Sequence, residues 1–271
     1  LAGSGQPTAI NSNGEVVGYS WDRGLHAVYW PEPDQIINLG LPGEDSYATD
    51  INDYGQIAVN TSWIDEFGHG QWRIYLWSLE EGRVDLGSLG GSVRMAYAVN
   101  NLGHVVGGSM TSLDEPGHPF FWSPTTGMMD LGTFGCDFTP SYAHDMNDRD
   151  EIVGISCGRA FYWSASTGMI DIGGFSNDGY ASANAINNVG QIVGVSRTAR
   201  GDVHAFLWTL SGGMRDLGTL SGIGESRAYD INNLGQIVGE STNLPEPETG
   251  LCLIASFLLL GMHHSRSPRF R

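Results

Sequence analysis

At 271 residues, with 13 arginines, no lysine and 30 acidic residues, the chain carries a formal charge of −17. So large an acidic excess leaves little with which to displace counterions from a nucleic acid, which excludes that partner and disfavours polyanions generally. With 41% hydrophobic residues, 39 glycines and only 16% charged residues, the chain is too apolar for a disordered acidic tail and long enough to bury a proper core.

Along the chain one string occurs six times: INSNGEVVG, INDYGQIAV, VNNLGHVVG, MNDRDEIVG, INNVGQIVG and INNLGQIVG, with asparagines at 11, 52, 100, 147, 187 and 232. The mean spacing of about 44 residues suits a four-stranded propeller blade. After each of the first five copies comes a second string (HAVYW, RIYLW, HPFFW, RAFYW, HAFLW) ending at Trp30, Trp77, Trp122, Trp163 and Trp208. A third follows, centred on Leu39, Leu86, Leu131, Ile172 and Leu217. Each repeat therefore reads as four short β runs, A to D, dominated by β-branched and aromatic residues. The Asn-x-x-Gly between A and B is hairpin chemistry, with an Asx-type bond at its start and a residue tolerant of positive φ at its end. In the fourth copy Asp150 replaces that glycine, which Asp permits more readily than most residues. The fold expected is all-β, a β-propeller-like array over residues 1–242, six blades with the last incomplete.

Seven residues separate the turn asparagine from the end of the B string in all six copies, and nine separate the C-strand tryptophan from the D-strand hydrophobe in all five. Variation in length is concentrated from B to C. In an up-and-down blade, B–C and D–A connections share one rim, so that variable rim is the candidate binding face. The five periodic tryptophans read as packing between blades. Trp21, Trp63 and Trp72 are instead expected in B–C loops, the longest of which carries Trp63, Asp65, Glu66 and Phe67. Aromatics beside carboxylates can stack on sugar rings and accept hydroxyl hydrogen bonds; lids on the core are the alternative.

His26, His118 and His204 begin C strands, but Arg73 and Arg159 hold the same slot in the other two repeats, which argues for pairing at a blade edge and against a metal role. The segment Asp50 to Gly55 loosely resembles a calcium loop yet lacks the ordered oxygen series. No nucleophile elbow, zinc-binding His pair or phosphate loop is present, and the adjacent acids Asp65 with Glu66 or Asp114 with Glu115 need not converge as hydrolysis requires. Neither a catalytic residue, a metal nor a cofactor is expected. Cys136 and Cys157 fall on the same rim of the fourth repeat, so a disulfide is expected if the protein is exported, with two separate thiols as the alternative.

Residues 243–271 form a three-part tail: Pro245, Glu246 and Pro247, then a run without charge from Leu251 to Met262, then Arg266, Arg269 and Arg271. The run is short for a permanent span and fits a processed signal, with the basic end on the cytoplasmic side. This tail resembles the PEP-CTERM sorting signal. The resemblance implies export, cleavage by an exosortase-type enzyme during transient contact with the inner membrane, and association with exopolysaccharide or another matrix glycan at a bacterial cell surface. The repeats resemble those of HAF-repeat proteins, named for the His-Ala-Phe intact at His204 to Phe206.

Leu1 aligns with the end of a D strand, and the sixth repeat stops after B near Thr242. The expectation is a C and D strand upstream of Leu1 that completes a six-bladed ring. The function expected is a secreted or cell-surface, non-enzymatic binding or structural protein of the biofilm matrix. A polysaccharide hydrolase or lyase on the same rim, and a purely structural assembly module, are the alternatives.

Overall fold

The repeated strings form five four-stranded antiparallel sheets and one two-stranded sheet in a computed structural model that describes residues 5–21, 24–92, 94–112, 116–136, 139–176, 179–220 and 222–242. The first sheet holds β1 (Gly5–Ile10), β2 (Val16–Trp21), β3 (Leu25–Trp30) and β4 (Ile37–Asn38); the second holds β5 (Asp45–Ile51), β6 (Ile57–Ile64), β7 (Gly70–Ser78) and β8 (Gly82–Asp85). The third comprises β9 (Arg94–Val99), β10 (Val105–Met110), β11 (Gly117–Ser123) and β12 (Gly127–Asp130), and the fourth β13 (Tyr142–Met146), β14 (Ile152–Ser156), β15 (Arg159–Ser164) and β16 (Gly168–Asp171). The fifth is β17 (Ala181–Ile186), β18 (Ile192–Arg197), β19 (Val203–Thr209) and β20 (Gly213–Gly218), and the sixth only β21 (Ser226–Ile231) and β22 (Ile237–Ser241). Strands pair in chain order, so every connection within a sheet is a hairpin. The fold is β-propeller-like, and among the described residues there is no helix.

The turn chemistry operates as the spacing requires. Asn52 Oδ1 accepts the N–H groups of Tyr54 and Gln56 at 3.0 and 2.9 Å, while Gly55 closes the turn at φ 73°. Asp150 takes the same left-handed conformation at φ 57°. Each first strand carries a bulge shortly before the turn, for example between Ala143 and Asp145, and the extra residue bends the strand. Opposite that bulge the second strand carries glycine in five sheets (Gly18, Gly107, Gly154, Gly194 and Gly239) and Val59 in the second. A Cβ on Gly154 would lie 2.0 Å from the Tyr142 carbonyl oxygen, so the close approach there requires glycine.

The core is divided into layers between successive sheets. Between the third and fourth, Ala98, Val106, Phe121 and Leu131 pack on Ala143, Met146, Ile152 and Phe161. The fourth C-strand residue of one sheet meets the tryptophan of the next: Tyr29 with Trp77, Phe121 with Trp163, and Tyr162 with Trp208, at centroid separations of 5.9, 6.4 and 6.1 Å. The periodic tryptophans are thus packing residues.

A ladder of side chains ties the turns together. The amide of Asn11 donates to the carbonyl oxygen of Asn52, Asn52 to Asn100, Asn100 to Asn147, Asn147 to Asn187 and Asn187 to Asn232, at 2.8–3.1 Å. The following residue makes a second ladder, in which the N–H groups of Ser12, Asp53, Asn101, Asp148 and Asn188 donate to the side chains of Asp53, Asn101, Asp148, Asn188 and Asn233. The asparagine that shapes each hairpin also holds that hairpin to the next.

Candidate functional site

The B–C connections vary as expected, and the second sheet departs furthest from the others. Trp21, Trp63 and Trp72 do not lie in loops: Trp21 ends β2, Trp63 belongs to β6 and Trp72 to β7. In the second sheet the ladder runs unbroken from Ile57 opposite Trp77 to Ile64 opposite Gly70, forming a long two-stranded arm. Its sequence, rich in Thr, Trp and Ile, favours extension. Its tip reuses the turn chemistry of the repeats. Asp65 Oδ1 accepts the N–H groups of Phe67 and His69 at 3.0 and 2.8 Å, Gly68 closes the turn, and Gln71 donates to Oδ2 at 2.9 Å. Those bonds, the His69 N–H foremost, hold the Asp65 carboxyl below its ordinary pKa. Asp65 is therefore occupied in forming the turn, whereas Glu66 is exposed at the tip with Phe67, 76% exposed.

Beside the arm is a cavity of about 450 Å3, bordered by His26, Glu44, Asp45, Trp63, Ile64 and Trp72 among others. By register Trp63 shares a face with Arg73, whose guanidinium sits 4.8 Å from the indole centroid, a cation–π contact that shields one side of the ring. Trp72 points from the opposite face, where its ring covers Gly70. Asp45 accepts the Leu25 N–H at 3.0 Å, and Glu44 lies 3.7 Å from Arg83. Trp21 stands apart from the cavity, 55% exposed and edge-on to Tyr19. Of the three tryptophans, two border one cavity, from opposite faces of the arm. Glu44, Asp45 and His26 complete it; Glu44 ends the D–A connection that the blade geometry already assigned to this rim, and Asp45 begins β5. Indole faces with carboxylate acceptors at the edge are chemically suited to a sugar ring.

On the same rim Cys136 and Cys157 form a disulfide with Cα atoms 5.7 Å apart; Cys157 lies in the turn after β14 at φ 55°. In four sheets the histidine or arginine of the C strand pairs with the D-strand aspartate: His118 with Asp130 and His204 with Asp216 at 2.9 Å, Arg159 with Asp171 at 3.4 Å and Arg73 with Asp85 at 3.9 Å; in the first sheet, which has His26, Asn38 takes the place of that aspartate. Interchange of His and Arg follows, because either side chain can donate a hydrogen bond to the same carboxylate. Among the described residues no group of three His, Cys, Asp or Glu is arranged to hold a metal ion. Asp114 and Glu115 lie outside the described residues, as do Pro245, Glu246, Pro247, Arg266, Arg269 and Arg271.

The most perturbed carboxyls are elsewhere, on the innermost strands near the invariant rim. Burial pushes Asp145 up to about 8 and Asp50 up to about 6, against the opposing pull of the N–H groups they accept, and the charge of Asp230 adds to both. In the sequence Asp50 stood out only as the start of a segment loosely resembling a calcium loop, and Asp145 did not stand out. Their signal was an alternation: Asp precedes the apolar-Asn pair in the second, fourth and sixth repeats (Asp50, Asp145, Asp230), and Ala does so in the first, third and fifth (Ala9, Ala98, Ala185).

No family model and no curated protein matches the chain. Among solved structures, it is similar to virginiamycin B lyase from Staphylococcus aureus at 8% identity and a TM-score of 0.45, over 87% of this chain and 91% of that one. It is also similar to TolB from Acinetobacter baumannii at 12% identity and a TM-score of 0.51, over 84% of this chain and 61% of that one. At 12% identity the likeness to TolB is one of fold, β-propeller-like, and says nothing of activity.

Proposed function

We propose that the protein is an exported, non-enzymatic binding protein of the cell surface or extracellular matrix, which holds a glycan on the variable rim at the cavity beside the β6–β7 arm. The observation that carries this reading is that Trp63, Trp72, Glu44 and Asp45 border one open cavity. An indole can stack on the apolar face of a sugar while the carboxylates accept its hydroxyls. The acidic surroundings and the net charge of −17 favour a neutral sugar face over a polyanion. Export is supported by the Cys136–Cys157 disulfide, a bond that persists in oxidising compartments, and by the tail, which would be cut by an exosortase-type enzyme during its inner-membrane contact. Among the described residues no helix is long and apolar enough to cross a membrane.

The test is a glycan array probed with the full chain and with a variant in which Trp21, Trp63 and Trp72 are all changed to alanine. Specific binding that disappears in the folded variant supports the reading. A folded wild-type chain that binds no glycan contradicts it and favours a structural assembly role, and release of reducing ends from a bound polysaccharide contradicts the non-enzymatic assignment.

A further inference from the structure

Among the described residues the sixth sheet has two strands, and the edge of β22 has no neighbour in that sheet. Next to that edge is a cavity of about 290 Å3, bordered by Ala205, Leu217, Ala228, Ile237 and Gly239 among others. The complete sheets show what occupies the equivalent space. Phe120, Phe161 and Phe206, each from a third strand, lie against Gly107, Gly154 and Gly194 of the second strand. Gly239 holds the same position, opposite Ala228 as Gly154 is opposite Ala143, but among the described residues its sheet has no third strand to supply a ring. Two residues beyond each phenylalanine comes the tryptophan that packs at the boundary between sheets.

The first sheet also has an uncovered side. Ile10 is 67% exposed, whereas its counterparts Ile51, Val99, Met146, Ile186 and Ile231 are 5–6% exposed. Asp50 and Asp145 each accept an N–H from the following sheet, at Val99 and Ile186. Asp230 accepts the N–H of its own neighbour Ile231 and the Asn232 amide donates to Gln236, bonds that the other repeats also make, but among the described residues neither side chain bonds to a following sheet.

We propose that the open side of the sixth sheet receives an antiparallel β hairpin with the chemistry of the chain's own outer pair. Its first strand carries a basic residue, a small residue, phenylalanine, an apolar residue and tryptophan; its second carries Asp-Leu-Gly. The phenylalanine fills the cavity over Gly239, the strand pairs with β22, and the aspartate pairs with the basic residue as Asp216 does with His204. The run Leu251 to Met262 lacks the alternation that a half-buried strand needs. The β22 edge of a second copy would bring Val238 and Glu240 but no aromatic ring. An exposed edge beside a shaped apolar cavity is a strand-addition site, with affinity from main-chain bonds and specificity from the pocket.

The test titrates the full chain with a synthetic peptide of residues 202–219, followed by calorimetry and by amide hydrogen exchange of β22. The expected result is saturable one-to-one binding, slowed exchange along β22, and affinity weakened more than about tenfold by Phe206→Ala in the peptide, with a scrambled peptide inactive. Absence of saturable binding, or equal binding of the Phe206→Ala peptide, overturns the proposal. So does a β22 edge already protected without peptide, whether by self-association or by a segment that truncation after residue 242 removes.

Discussion

The Asp145 carboxylate accepts the Ile186 N–H across the boundary between the fourth and fifth sheets at 2.8 Å, while its other oxygen accepts the Met146 N–H in its own sheet, also at 2.8 Å. Asp50 serves Val99 and Ile51 in the same way. One carboxylate thus satisfies two inner-strand N–H groups in adjacent sheets, which explains why aspartate is needed only in alternate repeats. Asp145→Ala is expected to destabilise the fold by about 2 kcal/mol or more at pH 6, because two such donors lose their acceptor. Asp145→Asn, which retains one acceptor oxygen, should cost less. Urea unfolding of the two variants provides the comparison.

These carboxyls also set a pH dependence. Their folded values, about 6 for Asp50 and about 8 for Asp145, lie above the ordinary unfolded value of about 3.9, so the folded state holds the protons more tightly. The stability they contribute is complete below the unfolded value and is lost as pH rises through about 6 and then about 8. Glu151 is lowered by its bonds to Asn147, Arg149 and Tyr162 against the opposing effect of burial, and contributes stability that is lost in acid. Melting temperature should therefore peak near pH 5 and fall toward pH 9, and Asp145→Asn should flatten the alkaline fall. A curve that rises between pH 6 and pH 9 would contradict this.

The asparagine ladder makes a graded prediction. Asn147 accepts from Arg149 and Glu151 in its own turn and donates to Asn187 in the next sheet. Asn147→Ala should cost about 2–3 kcal/mol, and Asn147→Asp, which keeps the turn but loses the donor, about 1–2 kcal/mol. Asn232→Ala, at a position whose amide bonds within its own hairpin, should cost about 1 kcal/mol. Equal costs at 147 and 232 would show that the bond between sheets contributes nothing.

The disulfide closes a loop with a sequence separation of 21. Reduction, or Cys136→Ser with Cys157→Ser, should lower unfolding stability by about 2–4 kcal/mol and leave the native strands intact. Thermal unfolding with and without reductant measures it.

The blades, their turns and their packing tryptophans were legible because each rests on local chemistry repeated several times: Asn-x-x-Gly for the hairpin, alternating apolar residues for the strands. The disulfide was legible because blade geometry puts Cys136 and Cys157 on one rim. The arm in the second sheet was not, since strands were delimited by the shared strings and its extension past Val59 occurs once. The signal was nonetheless present, in that Asp65 and Gly68 reproduce the spacing of Asn52 and Gly55. Nor was the double service of Asp50 and Asp145 legible, because the partners Val99 and Ile186 lie 49 and 41 residues away and only the packing of neighbouring sheets brings them together.

The most direct test of the rim as a glycan site is to measure affinity for the best array ligand in three separate variants, Trp63→Ala, Trp72→Ala and Trp21→Ala. Loss of more than about tenfold at positions 63 and 72, with Trp21→Ala close to wild type, is the result expected if the cavity beside the β6–β7 arm holds the sugar. Undiminished binding in the Trp63 and Trp72 variants, with the fold intact, would place the ligand elsewhere.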